Sequence, residues 1–168
     1  MEVVEFGALT DLERGELEGD ETDPFETRGI TLRYRGKERH IGLSDGGVLV
    51  ASAGLTTATV VVREKPFEVV GLGGVIVRAD RRGQGLARRV VEEALARAAT
   101  IGPAFVALFC HDDRAGLYEK LGFREVHSPV EVEQADGFVR AAQMMMWRPL
   151  EAGAAWPEGA VTLHGLPF

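Results

Sequence analysis

The sequence contains a single cysteine, Cys110, in 168 residues. One cysteine cannot form a disulfide within the chain and cannot build a cysteine-rich metal cluster, so no metal site is expected. Disulfides are rare in proteins of a reducing compartment. The scarcity of cysteine therefore indicates a cytoplasmic protein.

Long apolar runs and excess positive charge are also missing. No apolar run approaches the roughly 18 residues needed to cross a bilayer. The first residues, Met1-Glu2-Val3-Val4-Glu5, lack the basic and apolar regions of a secretory signal. The 19 Lys and Arg residues against 26 Asp and Glu residues give a formal net charge of -7. Because nucleic acid is held mainly by clustered Lys and Arg, we expect neither a membrane nor a nucleic acid as partner.

The chain does contain enough apolar residues, 45% of the total, for one well-buried core. Its length predicts one domain rather than two, and we assign residues 1–148 to that domain. Residues 149–168 carry Trp156 and end on Phe168. Such aromatic residues are unusual in a disordered segment, so we expect an ordered tail that packs on the same domain.

The negative charge is concentrated in residues 11–26, which hold eight acidic residues and one basic residue, Arg14. We call these residues the acidic segment. Such a run is most often a solvated surface, but it would also attract a positively charged substrate to the rim of a site. Both interpretations stay open.

Residue periodicity predicts a mixed, mostly antiparallel sheet with one right-handed strand-helix-strand crossover. Thr10 and Glu13 have capping-box spacing and predict a helix that continues into the acidic segment. Gly71, Gly73 and Gly74 in one strand predict a bulge or the close approach of a bulky group. Strands are predicted at Met1–Phe6, Arg39–Leu43, Val48–Val62, Phe67–Val77, Ala104–Cys110, Phe123–His127 and Val139–Trp147. Two more helices are predicted at Gly83–Ala99 and Asp113–Leu121, and coil is predicted from Arg148 to Phe168.

A basic turn joins the fourth of these strands to the longer helix. It reads Arg78-Ala79-Asp80-Arg81-Arg82-Gly83-Gln84-Gly85-Leu86-Ala87 and, with Arg88 and Arg89, its arginines outnumber Asp80 by four charges. Glycines permit tight turns, and the free N–H groups at a helix start favour an anion. The turn therefore predicts a phosphate or pyrophosphate site and a pole opposite in charge to the acidic segment.

Two better-known phosphate motifs do not fit this turn. Counted from Gly83, the sixth position is Arg88, where a dinucleotide fingerprint needs Gly or Ala, and no Gly-Lys-Ser or Gly-Lys-Thr occurs. The spacing Arg82-x-x-Gly85-x-Ala87 instead resembles the acyl-CoA motif of the GNAT (GCN5-related N-acetyltransferase) superfamily, which is Gln or Arg, two residues, Gly, one residue, then Gly or Ala. A second resemblance to that superfamily lies in the run Leu117-Tyr118-Glu119-Lys120-Leu121-Gly122-Phe123.

The resemblance implies an α+β fold with a mixed, mostly antiparallel sheet, helices on both faces and an acyl-CoA-binding strand, loop and helix. It implies an N-acetyltransferase that uses acetyl-CoA as co-substrate, with direct attack by a primary amine in a ternary complex. The residues that it assigns to cofactor binding are Val75, Ile76, Val77, Arg82, Gly83, Gln84, Gly85, Leu86, Ala87, Arg88, Asp112 and Tyr118.

The same resemblance gives Tyr118 the role of protonating the CoA thiolate. The general base stays open, because relatives often carry a Glu on the strand before the loop and this strand has no acid there. His111, Asp112 and His40 are candidates, and so is an ordered water molecule. Cys110 lies between apolar residues and is expected to be a core thiol rather than a nucleophile.

A distant similarity to the aminoglycoside 2′-N-acetyltransferase branch rests on Val75-Ile76-Val77-Arg78-Ala79-Asp80 and on the tryptophan of the tail. It implies that the carboxylate of Phe168 and some of the acidic residues lie near a polycationic acceptor. We therefore expect a small cationic amine as the acceptor. The alternatives are acetylation of a protein amino terminus or lysine, and a sensor of the same fold that binds acyl-CoA without catalysis. Whether the chain forms a homodimer is open.

Overall fold

The computed structural model describes residues 1–168, which form ten strands and three α-helices. The strands are β1 (Glu2–Phe6), β2 (Arg39–Asp45), β3 (Val48–Val62), β4 (Lys65–Val77), β5 (Phe105–Cys110), β6 (Arg124–Glu125), β7 (Val130–Gln134), β8 (Gly137–Arg140), β9 (Met144–Pro149) and β10 (Val161–His164). The helices are α1 (Asp11–Glu18), α2 (Leu86–Ala98) and α3 (Ala115–Glu119), with 3-10 turns at Ala79–Arg81 and Asp112–Arg114. None of the helices has the length and apolar character that crossing a membrane would require.

All ten strands belong to one sheet, in which β6, β9, β5, β4, β3, β10, β7 and β8 are neighbours in that order. The long strand β3 pairs with β2 near its start and with β10 at its end, and β1 lies outside β2. Pairing is antiparallel except between β4 and β5 and between β7 and β10. The predicted mixed, mostly antiparallel sheet is confirmed, as is the crossover β4-α2-β5.

Helices cover both faces of this sheet. On one face, α2 and α3 pack with β2 to β5 in a cluster of 22 buried residues, which we call the helix-side core. On the other face, Leu17 of α1 packs against Leu49 and Ile76. Because neighbouring strand residues point to opposite faces, one strand such as β3 contributes to both sides. A second cluster of 14 buried residues, the tail-side core, includes Leu163 and Phe168 of the tail.

Residues near the start of each of the two longer helices explain where the helix begins. The predicted capping box of α1 is confirmed, since Thr10 N–H donates to Glu13 Oε2 at 2.8 Å and Glu13 N–H donates to Thr10 Oγ1 at 3.2 Å. The predicted start of α2 at Gly83 is wrong. Gly83 and Gly85 have φ angles of 75° and 76°, which no α-helix contains. The helix therefore begins at Leu86, and the two glycines form the loop in front of it.

The carboxy-terminal part of the chain departs most from the prediction. The segment predicted as one strand at Val139–Trp147 is divided between the edge strand β8 and the buried strand β9, and a further strand, β7, was not predicted. The prediction of coil from Arg148 to Phe168 is wrong, because β10 lies between β3 and β7. Short strands of this kind are specified by distant partners, which residue periodicity does not reveal.

An aromatic cluster attaches the tail to the sheet. The ring of Trp156 lies 5.3 Å from Phe67, 5.3 Å from Phe105 and 5.6 Å from Trp147, measured between ring centroids. Two of these contacts are edge-to-face, the arrangement that aromatic pairs prefer. The tail thus shares the hydrophobic core of the sheet.

We expect Leu163→Ala to destabilise the protein by roughly 2–5 kcal/mol, the usual cost of truncating a fully buried leucine. Leu163 is 0% exposed in the tail-side core. Urea unfolding followed by circular dichroism measures the free energy of unfolding. Glu158→Ala, which changes an exposed residue of the same tail, is the control and should leave the free energy of unfolding nearly unchanged. Equal stability of Leu163→Ala and the parent protein would contradict a structural role for the tail.

Candidate active site

The strands β4 and β5 separate at one end. Their parallel pairing covers Val70 with Val106, Gly71 with Ala107 and Leu72 with Leu108. Beyond those pairs, β4 continues to Val77 and β5 to Cys110 without pairing to each other. On its other edge β4 has a register irregularity against β3 between Ser52 and Gly54. The result is a gap between two central strands, bordered by backbone groups with no partner across it.

The loop between β4 and α2 opens onto this gap. The first backbone bond of the helix is donated by Arg89 N–H to Gly85 O, at 3.1 Å. The N–H groups of Leu86, Ala87 and Arg88 therefore have no acceptor within the helix. Together with the positive end of the helix dipole, they can bind an anion.

One cavity of about 750 Å³ connects the gap with the loop. Its walls come from β4, from the loop before α2, from the end of β5 and α3, and from the chain between α1 and β2. The lining residues singled out by the sequence are Val75, Ile76, Val77, Arg82, Gly83, Gly85, Leu86, Ala87, Cys110, His111, Tyr118 and Phe168.

The acidic segment and the basic turn touch each other across this cavity. Both oxygens of the Glu21 carboxylate accept hydrogen bonds from Arg82, at 2.8 and 2.6 Å, and these bonds lower the pKa of Glu21. Glu26 accepts a hydrogen bond from Arg114 at 2.8 Å. The two oppositely charged segments are therefore joined directly by the ion pair between Glu21 and Arg82.

Comparison with known families is consistent with this geometry. A family model described as Acetyltransferase (GNAT) domain matches residues 19–126. This protein belongs to the GNAT family. A search of curated proteins found no match.

Solved GNAT-fold structures superpose on most of the chain. YhbS from Escherichia coli, solved in complex with CoA, is 21% identical, with a TM-score of 0.60 over 98% of this chain and 94% of that one. Escherichia coli ElaA is 20% identical, with a TM-score of 0.58 over 88% and 98%. The ribosomal-protein-S18-alanine N-acetyltransferase of Escherichia coli is 19% identical, with a TM-score of 0.55 over 92% and 100%. At these identities the likeness concerns the fold, and the similarity to the aminoglycoside branch stays a prediction.

Several residues assigned by sequence lie outside the cavity of this GNAT domain. Arg88 is on the exposed side of α2, where its Nε donates to Glu92 at 2.8 Å. Asp112 is exposed in its 3-10 turn, and Gln84 does not line the cavity either. His40 is buried on β2 and stacks on the ring of Phe6 at 5.4 Å. The predicted cofactor contacts of Gln84, Arg88 and Asp112 therefore stay predictions without support from the cavity.

Tyr118 is the buried acid of the cavity. Its side chain is 8% exposed and packs edge-on against Phe123, with ring centroids 5.8 Å apart. Burial raises the pKa of Tyr118 to about 12. The phenol therefore keeps its proton at neutral pH and has one to donate.

Two of the three glycines of β4, Gly71 and Gly73, meet bulky groups as the sequence predicts, whereas Gly74 has open space beside it and a positive φ of 60°. A Cβ placed on Gly71 would lie 2.6 Å from the ring of Phe168, and one on Gly73 would lie 2.8 Å from Cε of Lys37. Both distances are shorter than real Cβ contacts, so two large groups do approach this strand closely. Lys37 was not among the predicted site residues, because the segment around it has no motif and only its fold brings it to β4.

Arg35, which the sequence analysis did not identify as a site residue, holds the tail at the cavity. The Arg35 guanidinium donates to the carbonyls of Leu166, Thr57 and His164, at 2.6, 2.8 and 2.9 Å. Each of the three guanidinium nitrogens makes one of these bonds. Arg35 therefore positions Phe168 against β4.

The single thiol of this site should react slowly. Burial raises the pKa of Cys110 to about 11, so that almost no thiolate is present at pH 8. We expect Ellman's reagent at pH 8 to modify the native protein more than about 10-fold more slowly than the urea-unfolded protein. Cys110 is the only cysteine, so the absorbance change reports it alone. Equal rates would contradict an inert core thiol.

Proposed function

We propose that this GNAT protein transfers the acetyl group of acetyl-CoA to a primary amine that arrives as a small cation. The observation that carries the proposal is one continuous cavity with an anion-binding helix start at one side and a buried, protonated phenol, Tyr118, at the other. Such a cavity can hold a phosphate-bearing thioester and protonate its leaving thiolate.

Two features support the binding of acetyl-CoA in this cavity: the loop before α2 and the gap between β4 and β5. The free N–H groups of Leu86 and Ala87, with the guanidinium of Arg82, suit the pyrophosphate of CoA. The family resemblance assigns the backbone of Gly73–Val75 to orienting the thioester carbonyl. That stretch of β4 is where pairing with β5 has already ended, so its backbone groups on that side have no β5 partner and can bind a ligand.

Chemistry at the thioester then needs two proton movements. The amine nitrogen attacks the carbonyl carbon, the carbon–sulfur bond breaks, and the CoA sulfur leaves as a thiolate. Tyr118 supplies a proton to that sulfur, because burial keeps its phenol protonated. No acyl-enzyme on Cys110 is involved, since its thiol is held in the un-ionised form.

The charges of the cavity support a cationic acceptor once the cofactor is bound. Its five cationic side chains outnumber its three acidic side chains by two charges, or by one when the carboxylate of Phe168 is included, the members being Arg14, Arg35, Lys37, Arg82 and Arg114 against Glu21, Asp23 and Glu26. The pyrophosphate and 3′-phosphate of CoA carry more negative charge than this excess. The binary complex therefore has a negative cavity, which favours an ammonium group.

The proposal is tested by release of free thiol from acetyl-CoA in the presence of a panel of amines. We expect turnover with at least one small cationic amine, and we expect Tyr118→Phe to lower kcat by about 100-fold, the scale of one general acid. The dissociation constant for acetyl-CoA should stay nearly unchanged in Tyr118→Phe, because the phenol acts on the leaving sulfur. Binding of acetyl-CoA without turnover of any amine would favour the sensor, and equal kcat for the two proteins would remove Tyr118 from the mechanism.

Release of Arg82 from its carboxylate partner should strengthen CoA binding. In Glu21→Gln the guanidinium no longer has a charged competitor for the phosphates, so we expect a dissociation constant about two- to fivefold lower at low salt. Calorimetric titration with CoA measures it. Glu92→Gln is the matched control, because its partner Arg88 lies outside the cavity, and it should bind like the parent protein. Weaker binding by Glu21→Gln would contradict the assignment of Arg82.

A further inference from the structure

Lys37 lies in a slot that two glycines create. It belongs to the segment between α1 and β2, and its stem crosses β3 and β4. A Cβ on Gly54 would lie 2.3 Å from Lys37 Cγ, and a Cβ on Gly73 would lie 2.8 Å from Lys37 Cε. Any larger residue at either glycine would displace the lysine. Lys37 Nζ donates to the carbonyl of Arg35 at 3.1 Å, and the side chain lines the cavity.

Lys37 and Tyr118 approach β4 from opposite faces of the sheet. Val70 and Leu72 of β4 belong to the helix-side core, as does Tyr118. Gly71 and Gly73 alternate with them and therefore point to the other face, where they meet Phe168 and Lys37. The gap between β4 and β5 joins the two faces. A thioester in that gap has the phenol on one side and the lysine on the other.

The surroundings of Lys37 make its ammonium group easier to deprotonate. Burial, and to a smaller extent the positive charge of Arg35, lower the pKa of Lys37 to about 8. The other groups facing it are His40 on β2, whose own pKa is lowered by burial, and the terminal carboxyl group of Phe168, whose carbon lies against Gly73 next to Lys37 Cε. The negative charge of that carboxylate opposes the effect of Arg35. Glu38, the next residue, instead accepts a hydrogen bond from Thr56 at 3.1 Å.

We propose that Lys37 is the general base of the reaction, taking a proton from the acceptor ammonium on the face of the sheet opposite Tyr118. The inference rests on the proposed function and names a residue that the sequence did not suggest. It also separates acid from base, since each then acts on its own atom, Tyr118 on the departing sulfur and Lys37 on the incoming nitrogen.

The step balances without a further reactant. Neutral Lys37 accepts one proton from the ammonium, and the freed amine attacks the thioester carbon as the carbon–sulfur bond breaks. Tyr118 gives its proton to the thiolate. The nitrogen loses a second proton, which restores the phenol through solvent, and Lys37 releases its proton to solvent. The products are the amide, CoA thiol and one proton.

Two substitutions separate a base from a fixed charge. Lys37→Met removes both the base and the charge, whereas Lys37→Arg keeps the charge but cannot give up its proton at neutral pH. We expect both variants to lose about 100-fold in kcat at neutral pH with an alkylamine acceptor, while the dissociation constant for acetyl-CoA stays unchanged. Lys65→Met, a change at an exposed lysine at the start of β4, is the matched control and should keep full activity.

The acceptor and the pH provide further readouts. An amine that is already neutral at the assay pH needs no base, so the loss in Lys37→Met should shrink with such an acceptor. In the parent protein kcat/KM should fall as the pH falls below the pKa of Lys37, because the protonated lysine cannot accept a proton, and Lys37→Met should lose that limb. Full activity of Lys37→Arg or of Lys37→Met would overturn the proposal. The proposal would also be overturned if both Lys37 variants were active and His111→Asn instead lost the fall of kcat/KM at low pH.

A titration that does not depend on turnover completes the test. The chain has three lysines, Lys37, Lys65 and Lys120, so nitrogen-15 NMR of the lysine amines resolves few signals. The signal missing from Lys37→Met should titrate near pH 8, well below the ordinary value for a lysine. A Lys37 that titrates at the ordinary lysine value overturns the proposal. Absence of any amine turnover by the parent protein refutes the proposed function instead, and the titration still decides whether Lys37 can act as a base.

Discussion

β4 and β5 pair over only three residue positions before they separate, and the site depends on that separation. A continued ladder would bond the backbone of Gly73–Val75 to β5 and close the path between the two faces of the sheet. Because the strands separate, backbone groups of β4 on the β5 side have no strand partner there, and side chains from both faces line the same cavity. Tyr118 comes from the face covered by α2 and α3, and Lys37 comes from the face that carries the tail.

The acidic segment and the basic turn form an ion pair with each other instead of lying on separate surfaces. Glu21 of the acidic segment is bonded to Arg82, the arginine that the family resemblance assigns to the phosphates of CoA. Under the proposed function, cofactor binding exchanges one anionic partner of Arg82 for another and also changes the net charge of the cavity. The same segment leads on to Arg35 and Lys37. One stretch of chain between α1 and β2 thus contacts both the loop before α2 and the end of β4.

Much of the cofactor half could be predicted from sequence, because its signals are local. Gly83 and Gly85 adopt the positive φ angles that their spacing suggests, and the buried face of α2 follows the apolar period. Glycines at positions 71 and 73 correctly predicted close neighbours. Their partners could not be predicted, because Phe168 and Lys37 are distant in sequence and carry no motif. The strand β10 was missed for the same reason, since its four residues depend on β3 and β7.

The sequence by itself determined the family, the order of the main elements and the glycine-containing loop before α2, because short-range spacing and periodicity specify turns, helix starts and buried faces. Only the tertiary structure decided which side chains share the cavity. It excluded His40, Asp112 and Arg88 from that cavity and brought Lys37 into it. It also decided the ionisation of the cavity's groups, since the pKa values of Tyr118, Cys110 and Lys37 are shifted mainly by burial. Burial is a property of packing between distant segments, and no local pattern encodes it.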